Sequence, residues 1–206
     1  MKPMTLCFAM LGLTGTMISL RAMANEAQVE RGGTTADSKM RVGVTLVPTP
    51  VGRLHAGSGS EATFANPFTF AVMTTFDFVP HPNVFIGLAP SYTFHIRAEG
   101  ADQIDPSREF DLLLRFGYTA LVADRLHAYG YVAPGYSFIS GAVQGAPSQG
   151  PVVGLHGGGL FDLTSTVFLD VELGYQAGFQ QGSSSSMGND LRASLLQIGA
   201  GIGVRI

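Results

Sequence analysis

Six charged side chains stand where the chain otherwise sets small or polar residues: Arg41, Asp77, Arg115, Asp170, Glu172 and Arg205. Each belongs to a stretch that alternates apolar and polar residues, and each falls on the polar side of its stretch. In an extended chain such a residue points away from its aliphatic neighbours. Where the polar sides of several stretches close on a narrow interior, an isolated charge is costly, so pairing is expected. The order of the stretches predicts Arg41 near Asp77 and Asp170 near Arg205, both toward one end, with Arg115 and Glu172 facing each other across the interior near mid-height. The work open to such groups is electrostatic: they gate a selective pore, or they fill the interior so that it conducts little. Eight strands leave a lumen just wide enough for side chains to fill, which favours the filled interior.

Other reactive residue types form no usable set. The five histidines, His55, His81, His95, His127 and His156, are dispersed over a long loop, turn ends, a loop end and the interior, too far apart to converge on one ion. Ser91 and His95 share a strand face, but four steps of extended chain separate them by about 13 Å, too far for a nucleophile and its base. Gly157-Gly158-Gly159 and Gly199-x-Gly201-x-Gly203 lack the Lys-Ser/Thr and helix of a phosphate cradle, and read as lumen lining or bends. Gly57-Ser58-Gly59-Ser60 and Ser183 to Ser186 read as flexible loop tips. No catalytic residue, cofactor site or metal site is predicted.

The element that must position these charges is clearest in Val167 to Gln180. Val167, Leu169, Val171, Leu173, Tyr175, Ala177 and Phe179 share one face, and Asp170, Glu172 and Gln176 lie on the other among glycines. Strands of soluble sheets average about five or six residues, whereas a tilted strand of this length crosses roughly 30 Å. Seven further two-faced segments are predicted: Met40 to Val47, Phe68 to Val79, Val84 to Arg97, Phe110 to Val122, Leu126 to Ile139, Val152 to Leu163 and Leu191 to Ile206. Tight connections at Pro80 to Asn83, Ala123 to Arg125 and Thr164 to Thr166 alternate with long polar ones at 48–67, 98–109, 140–151 and 181–190. All tight turns therefore lie at one end. A soluble two-sheet sandwich also alternates apolar and polar faces. Here, though, the polar face is mostly Gly, Ala, Ser and Thr, which suits a tight interior better than a solvated surface.

The remaining bounds agree. Only 13% of the 206 residues are charged, and beyond the N-terminus no window of about twenty uncharged apolar residues reads as a spanning helix. Residues 1–24 have the pattern of a cleaved export signal, with Lys2, an apolar region from Leu6 to Leu20 and Ala22-Met23-Ala24 before Asn25. Residues 25–39 read as a flexible leader, and 40–206 as the folded domain. The single cysteine, Cys7, lies in the signal, so the mature chain carries no thiol. Without Lys2 and Arg21, ten basic residues face 15 acidic ones, a formal charge of −5 that argues against nucleic acid as a partner.

From Met40 to Ile206 the chain resembles the small outer-membrane β-barrels of the OmpA/OmpX type, by topology and patterning rather than by a diagnostic motif. The expected fold is all-β, an eight-stranded antiparallel up-and-down transmembrane barrel. The resemblance implies outer-membrane lipid and the barrel-assembly machinery as partners. Barrels of this type usually end in an aromatic residue, where this chain keeps the alternation Ile202, Val204, Ile206 without one. Trp is absent, so Phe68, Tyr92, Phe94, Phe110, Tyr136, Phe138 and Phe179 are expected to form the interfacial girdle near the loop end. The leading expectation is a monomeric, non-enzymatic envelope or surface-contact protein whose loops 48–67, 98–109, 140–151 and 181–190 meet ligands outside the cell. Its rivals are a narrow channel for small or apolar solutes, a lipid-modifying enzyme on the same scaffold, and an exported soluble β-protein.

Overall fold

A computed structural model describes residues 39–56, 60–64, 69–94, 108–140, 148–182 and 190–206. The expected signal and all of the leader except Lys39 lie outside them, as do His95 and most of the expected loops after residues 94, 140 and 182. Period-two patterning gives ten antiparallel strands: β1 (Met40–Pro48), β2 (Val51–Ala56), β3 (Ser60–Phe64), β4 (Phe70–His81), β5 (Val84–Phe94), β6 (Arg108–Ala123), β7 (Leu126–Ser140), β8 (Ser148–Asp162), β9 (Val167–Gly182) and β10 (Asp190–Arg205). Eight of them, β1 and β4 to β10, form the wall. It closes where β1 pairs with β10, from Arg41 opposite Arg205 to Leu46 opposite Ala200. There is no helix among the described residues. The fold is thus the expected closed up-and-down barrel, and closure gives each of the eight wall strands two neighbours for its backbone hydrogen bonds, as hydrocarbon requires.

The sense of the alternation is decisive. On β9, Val171, Leu173 and Tyr175 are 59%, 57% and 53% exposed, whereas Asp170, Glu172 and Gln176 are buried. The same inversion runs round the wall. Leu112, Leu114 and Phe116 of β6 lie outside and Asp111, Leu113 and Arg115 inside, while Val132, Tyr136 and Phe138 of β7 lie outside and Tyr129, Tyr131 and Ser137 inside. Near the loop end an aromatic ladder crosses four strands: Phe70 stacks on Phe94 at 5.1 Å, Tyr92 meets Phe94 at 4.8 Å, Phe110 meets Phe138 at 6.4 Å and Tyr136 meets Phe138 at 5.0 Å. Such amphipathic rings belong at a membrane–water interface. Phe68 lies outside the described residues.

Two expectations are corrected. The connection 48–67 is not simply a loop, because it holds the β2–β3 hairpin, and β2 lies against the loop-side half of β10. Leu46 faces Ala200 and Val51 faces Leu196, so five steps on one side match four on the other, and the extra residue falls in Pro48-Thr49-Pro50. Proline ends regular pairing, and a bulge absorbs the extra residue before the wall resumes. The second correction concerns ends. β4 includes Pro80 and His81, taken above as turn, because a register shift between Phe78 and His81 lets the strand continue to a two-residue Pro82-Asn83 turn. The turn is pinned by Asn83 Nδ2 donating to the Thr119 carbonyl at 2.9 Å.

An outward aliphatic position near mid-wall should reject charge. Leu173→Arg is expected to cost about 2–4 kcal/mol in a urea titration of the barrel folded into lipid vesicles, whereas a water-facing position would be indifferent.

Candidate functional site in the lumen

Inside a wall this narrow, one bulky side chain per row needs a small one beside it. Asp77 on β4, Gly87 on β5 and Arg115 on β6 share one register row. A Cβ on Gly87 would fall on Asp77 Oδ1 and lie 2.7 Å from the Phe76 carbonyl oxygen, so glycine opens the way by which Arg115 reaches over β5. Arg115 Nη1 donates to both oxygens of Asp77 at 2.9 Å. The same device recurs one side further round. Tyr129, Gly158 and Glu172 share a row on β7, β8 and β9, and a Cβ on Gly158 would lie 2.7 Å from the Tyr129 hydroxyl.

From these reaches a plug is assembled. Arg41 Nη2 lies 3.8 Å from Asp77, and the guanidiniums of Arg41 and Arg115 lie 4.7 Å and 5.2 Å from the ring centre of Phe85. Arg115 also covers one face of Tyr131 at 4.1 Å, and His156 stacks within 3° of parallel on that ring at 4.7 Å. The hydroxyl of Tyr131 donates to Glu172 Oε2 at 2.9 Å, and that of Tyr129 donates to Asp170 at 2.7 Å. Toward the turn end Asp162 accepts from Arg205 at 2.6 Å and pairs with His127 at 3.1 Å. Toward the loops Gln176 donates to Asp111 at 2.9 Å, Ser137 to Glu109 at 2.8 Å and Gln180 to Ser137 at 3.1 Å.

All six expected charges thus face the lumen, but their partners differ from expectation in two cases. Arg41 and Asp77 are brought together. Arg115 lies on Asp77 rather than on Glu172, because Gly87 leaves the shorter path, and Glu172 turns to the two tyrosines instead. Arg205 takes Asp162 rather than Asp170, whose carboxylate is already held by Tyr129. Tyr129, Tyr131, His156 and Asp162 lie on the inward parity of β7 and β8, and Phe85 of β5 joins them, although none of the five belongs to the expected charge pairs. The available signal was the pairing of bulky inward residues with glycines in the next strand, as with Phe85 and Gly117.

The chemistry this permits is narrow. Among the described residues no three His, Cys, Asp or Glu side chains converge as metal ligands. His156 is buried, and among the described residues neither ring nitrogen has a hydrogen-bond partner, the nearest carboxylate oxygen, of Glu172, lying 3.9 Å from Nδ1. The cavity between Arg41, Asp77, Arg115 and Asp170 is about 10 Å³, the room needed for about one water. Phe85, Arg115 and Glu172 are each 3% exposed or less, so side chains close the lumen at this height.

A closed wall, an apolar exterior and a charged, filled interior define the fold of eight-stranded outer-membrane barrels. No protein-family model and no curated protein sequence matches the chain. Among solved structures it is similar to Neisserial surface protein A (NspA), at 13% identity and a TM-score of 0.59, over 82% of this chain and 98% of that one. It is also similar to the outer membrane protein OprG from Pseudomonas aeruginosa, at 11% identity and a TM-score of 0.50, over 81% and 94% of the two chains. Likeness at such identity is likeness of fold.

Three substitutions test the plug. Arg115→Met should cost about 3–5 kcal/mol, and combining it with Asp77→Asn should cost less than the two single changes added together, since both remove the same Arg115–Asp77 pair; equilibrium urea unfolding of the single and double variants measures the coupling. Gly87→Ala should lower the same midpoint by forcing Asp77 off Arg115, even though the change adds only a methyl group to a strand.

Proposed function

We propose that this chain is a non-enzymatic integral protein of the outer membrane, a monomeric barrel that supports the envelope or presents its loop end to surface partners. The observation that carries this reading is the ion-paired plug: Arg115 meets Asp77, Glu172 meets Tyr131, and the cavity between Arg41, Asp77, Arg115 and Asp170 has room for about one water. A conducting pore would need a continuous aqueous path instead. Residues 1–24 act as a cleaved export signal and 25–39 as a leader ahead of the barrel at 40–206, which the barrel-assembly machinery inserts. The loop-side segments 48–67, 98–109, 140–151 and 181–190 offer the ligand-facing surface, with the β2–β3 hairpin carrying the first of them beyond the paired end of β1.

Two measurements test it. Carbonate washing of membranes should leave the protein in the pellet, and planar bilayers holding it should show no reproducible single-channel steps. Release by the wash would remove the membrane placement, and steady unitary conductance would replace the plug with a pore. The lipid-modifying rival predicts a changed lipid mass profile in cells lacking the protein, and the expected profile is unchanged.

A further inference from the structure

On its loop side the lumen ends in a layer of oxygens. An apolar ring of Met73, Ala89, Leu113, Ala133 and Val152 separates this layer from the ion pairs below. Above the ring, Asp111 of β6 faces inward and is 2% exposed. Ser91 of β5 and Ser137 of β7 stand opposite it in the register, and both are buried. Glu109, one inward step nearer the loops, accepts from Ser137 Oγ at 2.8 Å. Gln176 of β9 reaches across the lumen and donates to Asp111 Oδ2 at 2.9 Å. Asp111 Oδ1 differs from its neighbours, because it is closed to solvent and accepts no hydrogen bond.

A buried carboxylate oxygen left without a donor is costly, and in so dry a place the group calls for positive charge beside it. The chain's own cations do not supply it. Arg115, the next inward charge on the same strand, lies four steps away, about 13 Å of extended chain, and is held by Asp77. Among the described residues of this layer no Arg, Lys or His faces inward; Thr49, Thr69, Thr93, Ser148, Gln180 and Gln197 complete it. The atoms around Oδ1 are hard oxygens, from the carboxyl of Glu109 and the hydroxyls of Ser91 and Ser137. Such a set suits Ca²⁺, which accepts about six to eight oxygens in irregular arrangements. Mg²⁺ demands a near-octahedral shell and keeps several waters, which a layer holding a wholly buried Ser137 does not admit. Calcium sits about 2.3–2.6 Å from its oxygens, nearer than a hydrogen-bonded water, so an oxygen closed to water still admits it.

We propose that Asp111 Oδ1 anchors a calcium site in the loop-side lumen, completed by Glu109 and the hydroxyls of Ser91 and Ser137. The ion enters from the loop mouth, since the plug closes the other side. Bound there, it ties β5, β6 and β7 to one another and, through the Gln176 amide on Asp111, to β9, so that it braces the loop end of the barrel. The site goes beyond the envelope role proposed above and needs only the closed wall and its inward face.

The full chain, folded in uncharged dodecyl maltoside micelles, is titrated with CaCl₂ in a calorimeter, and its urea midpoint is measured with and without the ion. Wild type should bind one Ca²⁺ saturably, with a Kd of about 0.1–1 mM as in extracellular calcium modules, and its midpoint should rise. Asp111→Asn keeps the shape and removes the charge; it should weaken binding about tenfold or more and cancel the rise. Asp124→Asn, in the β6–β7 turn at the opposite end, should change neither. Glu109→Gln should also weaken binding, and it carries the test if Asp111→Asn does not fold. Absence of saturable binding by the folded wild type overturns the site, and so does equal binding by wild type and the folded Asp111→Asn variant. MgCl₂ matching CaCl₂ in affinity overturns the assignment to calcium. Because micelles hold the barrel without a bilayer, these outcomes are independent of the carbonate wash and the conductance recordings.

Discussion

The constraint on which this molecule depends is width. A wall of eight strands leaves so little interior that a bulky inward side chain either needs a small residue beside it in the next strand or must lie flat on its neighbour, as Tyr131 does on His156. The chain answers by setting a glycine beside several of its large inward residues: Gly87 beside Asp77, Gly117 beside Phe85, Gly158 beside Tyr129, Gly174 beside His156. Without those gaps Arg115 could not reach Asp77 across β5, nor Tyr129 reach Asp170 across β8. The lumen is therefore a lattice of reaches over glycine, and the ion pairs are its consequence.

That lattice stabilises one arrangement of the strands. A buried charge without its partner costs several kcal/mol, so a slip of one strand by two residues, which would keep its greasy side outward, would still separate Arg115 from Asp77 and Tyr131 from Glu172. The lipid-facing pattern alone does not distinguish such registers, because Leu169, Val171 and Leu173 are nearly interchangeable to hydrocarbon. Polar specificity inside and apolar indifference outside are complementary roles for the two faces of every strand.

The wall is less uniform than its pattern. Pro48-Thr49-Pro50 displaces the register on β10 by one residue and lets the wall continue as β2, while Pro90, Pro134 and Pro151 each remove a single ladder bond without changing register. The first is a bulge at the rim and the others are seams within the belt. The difference follows from whether a residue is added or only an N–H is removed.

How far the sequence reached is visible in particular residues. Period two set which face of each strand is oily, and so placed Arg115, Asp170 and Glu172 inside, because side-chain direction in a strand is a local property of the backbone. The alternation of tight and long connections likewise gave the order of strands and put every turn at one end. The β2–β3 hairpin escaped notice because its residues, many small or polar, alternate only weakly. Partner choice was decided by the tertiary structure alone: Asp77 or Glu172 for Arg115, Asp162 or Asp170 for Arg205. Those choices depend on which residues share a register row and on whether a glycine leaves the row open, and rows exist only once strands distant in the chain have paired and closed.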